Sequence, residues 1–176
     1  MSTTATTPLD LRERVAIARL HALLERLPAA LDRHLAPAGI TSFEYTLLDA
    51  LESDPTQRLR LSNLAGRTNA TLPRLSRVVS SLERRGLVER SACPEDGRAT
   101  NAALTPLGAQ LVVETRERYA AAARSLILDG LATLPGDGVA QLTDVSFAIL
   151  GALDPDRRCT VSQEAPGPQC PADPTA

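Results

Sequence analysis

Residues 71–98 read TLPRLSRVVSSLERRGLVERSACPEDGR, and the fold is decided largely within this stretch. Its first part predicts an amphipathic helix over 71–86, because apolar side chains recur at the i, i+3, i+4 and i+7 positions of one buried stripe. These residues are Leu75, Val78, Val79 and Leu82. The arginine and serine side chains of the same helix then face outward. Gly86 suits the left-handed position that follows the last turn of a helix.

A β-hairpin is predicted after this helix, over 87–104. Two short segments of strand character, 87–91 and 99–104, flank the segment ACPEDGR at 92–98, which is rich in turn-forming residues. The pattern therefore predicts two paired strands with a protruding loop between them.

Two shorter helices are predicted before the amphipathic one. The sequence TSFE at 41–44 has the form of a capping box, in which Thr41 and Glu44 each bond the other's backbone N–H group. Ser62 is predicted to cap a further helix that stops near Gly66. Two short helices, a tight turn, a helix with an Arg/Ser outer face and a hairpin describe a winged helix-turn-helix over 40–105.

Long helical segments are predicted on both sides of this unit. The first, over 9–36, is expected to begin with Thr7 as its cap and Pro8 in its first turn, and to be kinked or interrupted at Pro28. Its apolar residues occupy more than one face, which indicates packing on several sides or a subunit interface.

Two more helices are predicted over 106–153. The dipeptide Thr105-Pro106 opens a long helix with Gly130 as its stop, and a last helix covers about 137–153. The fold class is therefore mainly α with a small β-hairpin.

Composition bounds the class of protein. The 176 residues are enough for one ordinary domain. Hydrophobic residues make up 43% of the chain and charged residues 23%, which is typical of a globular protein. With 2% aromatic residues, a stacking platform for single-stranded nucleic acid is not expected.

No apolar run reaches the roughly 18–20 residues that span a bilayer, and no export signal is evident, so a cytoplasmic protein without membrane contact is expected. Residues 154–176 contain five prolines and Val161 as their one large aliphatic residue, which predicts a disordered tail.

Charge is distributed unevenly along the chain. Between Pro55 and Thr105 there are nine arginines and four acids, a net charge of +5, whereas the rest of the chain carries −7. A basic block inside an acidic protein is typical of a surface that binds a polyanion, although a solvated charged face would have the same composition.

The sequence resembles the MarR-type transcriptional regulators from about Leu9 to Leu153. The resemblance is carried by SFEYTLLDAL (42–51), LRLSNLAGRT (59–68), the stretch 72–98, and LTPLG (104–108). Its most specific parts are Leu-Glu-x-x-Gly-Leu-Val-x-Arg over 82–90, the Asp-x-Arg of the wing, and Leu-Thr-x-x-Gly over 104–108.

The resemblance implies a homodimer whose dimerisation layer consists of the first helix and the last two, that is 9–36 and 106–153. It implies binding to pseudo-palindromic double-stranded DNA near promoters, usually to repress. It also implies a small-molecule effector, often aromatic or phenolic, in a cleft between the two layers. Gly97 departs from the family pattern, since many relatives carry Arg there, so the wing has one cation fewer.

The predicted DNA-binding residues lie on the outer face of the recognition helix (71–86) and on the wing (87–104). They are Thr71, Arg74, Ser76, Arg77, Ser80, Arg84, Arg90, Asp96 and Arg98.

Several of these residues also have a purely structural interpretation. Thr71 can act only as a cap, and Ser76 and Ser80 can be inert surface. Arg84 and its neighbour Arg85 lie in the last helical turn, where cations favour the helix dipole in any protein. Asp96 can serve turn chemistry or orient Arg98. The pattern leaves these alternatives open.

No catalytic or metal-binding pattern is found. A nucleophile elbow, a phosphate-binding glycine loop and a His-Glu-x-x-His motif are all absent from the sequence, and His21 and His34 lack ligands at metal spacing. An enzyme, a metal site and a cofactor are therefore not expected, and residues that bind an effector cannot be named. Cys93, in the wing, is a candidate redox switch. The alternative function is a ligand-sensing or protein-interaction module of the same fold without specific DNA binding.

Overall fold

The computed structural model describes residues 7–92 and 99–153. In chain order the elements are α1 (Leu11–Leu35), a 3-10 turn (Ala36–Ala38), α2 (Ser42–Glu52), β1 (Arg58–Arg60), α3 (Leu61–Arg67), α4 (Leu72–Arg84), β2 (Val88–Ala92), β3 (Thr100–Leu104), α5 (Pro106–Ala123), a π-helical turn (Arg124–Leu128), α6 (Asp129–Leu131) and α7 (Gly138–Leu153). The predicted class, mainly α with a small hairpin, is confirmed.

The sheet has three antiparallel strands in the order β1-β3-β2. The predicted hairpin is formed by β2 and β3, with Arg90 opposite Ala102. Strand β1 was not predicted, and it pairs with the other edge of β3 so that Leu59 lies opposite Ala102. Its sequence, RLR, is too short and too charged to show strand periodicity, and its partner lies more than forty residues away.

The core lies within the winged unit, where α2, α3 and α4 pack against one face of the sheet. Its fully buried residues include Leu47, Leu48, Leu51, Leu64, Leu75, Val79, Leu82 and Val88. Val112 of α5 extends this core toward the long helices. Most of this core therefore belongs to the winged unit, with Leu35 of α1 and Val112 of α5 also part of it, and it holds α4 in place.

The long helices, by contrast, leave apolar side chains exposed. Helix α1 buries only Leu31 and Leu35, and α7 buries only Gly138. In the single chain Leu153 is 76% exposed and Val145 is 56% exposed.

Three details of the helices differ from prediction. Helix α1 is capped by Asp10 and not by Thr7, because Asp10 and Glu13 form a reciprocal capping box. Pro28 does not interrupt α1, which is continuous through it. Helix α3 begins at Leu61, so Ser62 lies inside its first turn and Arg60 occupies the cap position.

A fourth difference concerns Gly130, which does not stop the long helix. The chain passes from α5 through the π-helical turn into α6, and Gly130 lies within α6. The last helix begins close to its predicted start at 137, where the Asp137 carboxylate accepts from the backbone N–H groups of Val139 and Ala140, both at 3.0 Å.

The predictions for the wing tip (93–98) and for the tail (154–176) lie outside the described residues. Within the described ranges, no helix combines the length and apolar character that crossing a membrane requires.

Candidate nucleic-acid interface

Helix α4 presents an outer face that is polar and basic. Leu75, Val79 and Leu82 are fully buried, and at about 100° per residue the direction opposite to them is occupied by Arg77 and Arg84. Both arginines are exposed. No carboxylate of residues 7–92 or 99–153 forms an ion pair with either of them. The Nε of Arg77 donates to the Pro73 carbonyl oxygen at 3.3 Å, and its two terminal nitrogens, like the guanidinium of Arg84, are available to a ligand.

Both ends of α4 follow from its sequence. Pro73 lies in the first turn, where a backbone N–H has no helical partner in any case. Thr71 has the extended backbone of a cap residue, but its hydroxyl makes no capping bond, so the capping interpretation of that side chain is not supported. Gly86, at φ +71°, ends the helix in the predicted left-handed conformation.

A hydrogen bond joins the recognition helix to the wing. The Nη1 of Arg90, on β2, donates to Ser80 Oγ, on α4, at 2.8 Å. Two residues that the sequence predicted separately are thereby brought together, and both lie at the seam between helix and sheet. Ser76 is half-buried on the same helix.

Arg85 has a structural role in the winged unit. Its guanidinium donates to Glu44 Oε1 at 3.1 Å and to the Gly39 carbonyl oxygen at 2.7 Å. Glu44 is also the capping-box residue of α2, where it accepts from the Thr41 N–H at 2.9 Å. Arg85 therefore fastens the C-terminal end of α4 to the start of α2.

Arg74 lies on the flank of α4 that faces α2. Its Cζ atom lies 4.2 Å from the centroid of the Phe43 ring. Sequence reasoning placed Arg74 on the outer face and did not single out Phe43. The sequence contains no sign of this contact, because the two residues lie in different helices and are 31 positions apart.

The Leu-Thr-x-x-Gly motif fixes the wing to the long helix α5. Thr105 Oγ1 accepts from the Gly108 N–H at 3.0 Å and donates to the Gly86 carbonyl at 2.7 Å. A Cβ added at Gly108 would lie 2.1 Å from the Leu87 carbonyl oxygen. Glycine is therefore required where α5 crosses the turn between α4 and β2.

A second aromatic contact joins α2 to α5. The rings of Tyr45 and Tyr119 are stacked with centroids 4.3 Å apart. Burial raises the pKa of the Tyr45 phenol, and the neighbouring charge of Asp49 raises it further. Arg116, beside Tyr45, is paired with Glu52 at 2.9 Å. This junction holds the winged unit against the long helices.

The described residues contain no cluster of His, Cys, Asp and Glu side chains that could hold a metal ion. The two predicted DNA-binding residues of the wing tip, Asp96 and Arg98, lie outside the described ranges, as does Cys93.

Comparisons with known proteins agree with this geometry. The sequence profile of the MarR family matches residues 38–99. Among solved structures, the chain is similar to Sco3205 of Streptomyces coelicolor, a MarR family transcriptional regulator whose structure was determined in complex with DNA. The two chains are 29% identical with a TM-score of 0.79, and the match covers 88% of this chain and 95% of that one.

Two further regulators from Streptomyces coelicolor are also similar. AbsC, of the MarR family, is 26% identical with a TM-score of 0.75, over 86% of this chain and 100% of that one. PcaV, in complex with its natural ligand, is 26% identical with a TM-score of 0.64, over 85% of this chain and 100% of that one.

Proposed function

Because this chain is a winged-helix transcriptional regulator of the MarR type, we propose that it binds a pseudo-palindromic operator as a homodimer and represses transcription from it. The observation that carries the proposal is the outer face of α4, where exposed Arg77 and Arg84 lie opposite a fully buried apolar stripe. A helix of this kind fits the major groove, and arginine is the side chain that most often reads guanine there.

The DNA-binding face extends from α4 onto the wing. Ser80 supports Arg90 through their hydrogen bond, so that this cation is held beside the helix. Ser76 and Thr71 lie at the helix surface and complete the predicted set on α4. The wing-tip residues Asp96 and Arg98, which lie outside the described ranges, belong to the proposed DNA-binding set, because a narrow A·T-rich minor groove attracts an inserted arginine.

The homodimer is supported by the unburied apolar faces of α1 and α7. Exposed large apolar side chains are concentrated on these helices, and contiguous apolar patches of this kind are typical of subunit interfaces. In this proposal residues 9–36 and 106–153 form the dimerisation layer, and residues 40–105 bind DNA.

A small-molecule effector is proposed to release the operator. The support is the ligand-bound structure of the relative PcaV, together with the junction of α2 and α5, through which a change in the long helices would reach the winged unit.

Operator binding by wild type and Arg77→Ala tests the proposal. Genome-wide footprinting supplies the operator, and fluorescence anisotropy measures Kd for it and for a scrambled duplex. Loss of a bidentate base contact at Arg77 is expected to cost about 1–3 kcal/mol and to relax preference at one base pair.

Arg58→Ala is the matched control, since it removes one exposed arginine from β1, outside both the predicted DNA-binding residues and the proposed dimerisation layer, and should leave operator affinity unchanged. If wild type binds operator and scrambled duplex equally weakly, the alternative holds, and the chain is a ligand-sensing or protein-interaction module of the same fold.

A further inference from the structure

The contact between Arg74 and Phe43 joins the start of α4 to the start of α2. Phe43 lies in the first turn of α2 and Arg74 in the first turn of α4, and the guanidinium carbon is 4.2 Å from the ring centroid. A cation within about 6 Å of an aromatic face is attracted by the ring quadrupole. Phe43 is itself half-buried and packed against the core, so the ring is a fixed support.

The position of Arg74 around α4 differs from that of Arg77. At about 100° per residue, Arg74 projects roughly a quarter turn from the buried stripe, whereas Arg77 projects away from that stripe. Arg85, about three turns along the same flank, also contacts α2. When a helix lies in the major groove, its outer face meets base edges and its flanks meet the phosphates of the groove walls.

The contact with Phe43 leaves the hydrogen-bonding capacity of Arg74 free. A cation over an aromatic face is attracted by the ring without using an N–H donor, and the guanidinium has five such donors. Within residues 7–92 and 99–153, no carboxylate is paired with this side chain. Arg74 is thus held in one orientation without its donors being consumed, which lowers the entropy that binding a ligand would otherwise cost.

We propose that Phe43 is a positioning residue that holds Arg74 against the groove wall, where Arg74 binds a backbone phosphate and not a base. The inference rests on the proposed function, because it requires α4 to enter the groove. In this proposal the arginines of α4 differ in role. Arg77 contacts a DNA base, and Arg74, positioned by the Phe43 ring, binds a phosphate of the DNA backbone.

A double-mutant cycle tests this division. Phe43→Leu, Arg74→Gln, the double variant and Phe43→Tyr are titrated against operator and scrambled duplex over a salt series. Phe43→Leu is expected to weaken operator binding by about two- to fivefold for each half-site, the range of an exposed cation–π contact. It should do so only when Arg74 is present, and Phe43→Tyr, which keeps the ring, should bind like wild type.

The phosphate assignment has its own signature. Arg74→Gln should weaken binding to operator and scrambled duplex by the same factor. It should also make the log–log salt slope shallower by about 0.9 for each phosphate that the variant no longer binds. Melting curves of all variants check that each is folded, which is expected because leucine retains the apolar packing of Phe43.

Each other outcome has a defined meaning. An equal effect of Phe43→Leu with and without Arg74 would overturn the positioning role, and tighter binding by Phe43→Leu would mean that the ring withdraws Arg74 from DNA. A changed preference at one base pair in Arg74→Gln would make Arg74 a base reader. If wild type itself does not distinguish operator from scrambled duplex, the proposed function fails, which the wild-type titration alone reveals.

Discussion

Gly108 is a residue at which the long helix α5 lies directly against the backbone of the winged unit. The Leu87 carbonyl oxygen occupies the space that a Cβ would need, 2.1 Å from its ideal position, and a backbone atom cannot move aside as a side chain can. The glycine of the family motif therefore has a packing explanation, independent of DNA.

Gly108→Ala is expected to destabilise the fold by about 1–3 kcal/mol or more, because overpacking forces the backbone to shift. Urea unfolding followed by circular dichroism measures the change. Gly130→Ala is the matched control, since Gly130 lies in α6 with nothing within 4 Å of the added methyl group. That control should be neutral or slightly stabilising, and equal losses in both variants would refute the packing explanation.

Asp54 connects the loop after α2 to the end of α3. Its carboxylate accepts from the Thr56 hydroxyl at 2.7 Å and pairs with Arg67 at 3.1 Å. The hydrogen bonds from Thr56, aided by the charge of Arg67, lower the pKa of Asp54 below its ordinary value of 3.8. This carboxyl therefore stabilises the folded state above its unfolded pKa, and the stabilisation is lost as pH falls through the lowered folded value.

Asp54→Asn should accordingly be less stable than wild type at pH 7, and the difference should shrink as pH falls toward about 3. Urea unfolding at several pH values measures it, with Glu117→Gln as the control for removal of an exposed acidic side chain on α5. A constant difference across this range would contradict the role given to the Asp54 carboxylate.

Helices α2 and α5 are joined by the stacked rings of Tyr45 and Tyr119. At the scale of elements this stack is the aromatic link between the winged unit and the long helices, and it lies on the face of α2 that packs against α5. Its other neighbour, the ion pair of Arg116 and Glu52, spans the same two helices.

Tyr119→Leu is expected to destabilise the fold by about 0.5–1.5 kcal/mol, the value of an aromatic pair beyond its buried area. Tyr119→Phe keeps the ring and serves as the control, with stability near that of wild type. Thermal unfolding of the three proteins distinguishes them, and equal melting temperatures for Tyr119→Leu and Tyr119→Phe would show that the stack contributes nothing.

At the scale of the whole molecule, the apolar face of α7 has no partner within the described chain, where Val145 is 56% exposed. Val145→Glu is expected to convert the proposed dimer to a monomer, because burying an unpaired carboxylate in an interface is costly. The monomer should also lose operator affinity, since a single recognition helix reads only one half-site.

Sedimentation velocity measures this change against the chain mass of 18.7 kDa. For the oligomeric state alone, Leu72→Glu is the control for an added charge, because Leu72 is 45% exposed at the start of α4, outside the proposed interface. Its operator affinity is not compared, since Leu72 belongs to the recognition helix. A wild-type protein that sediments as a monomer and still binds a palindrome with full affinity would refute the dimer.

The sequence by itself determined the features that depend on neighbours a few residues apart. The capping box of α2, the left-handed Gly86 and the amphipathic stripe of α4 all arise from contacts within one or two helical turns, so their signals are local. The winged helix-turn-helix follows from the order of those elements.

Only the tertiary structure decided which role each arginine has. The sequence shows Arg74, Arg77 and Arg85 as cations of one helix and does not reveal what each of them contacts. The fold places one over the Phe43 ring, leaves one exposed, and fastens one to Glu44. Strand β1 could not be predicted from the sequence either, because its three residues form a strand only by pairing with β3. The physical reason is the same in each case: the partner is distant in sequence, and its proximity exists only after folding.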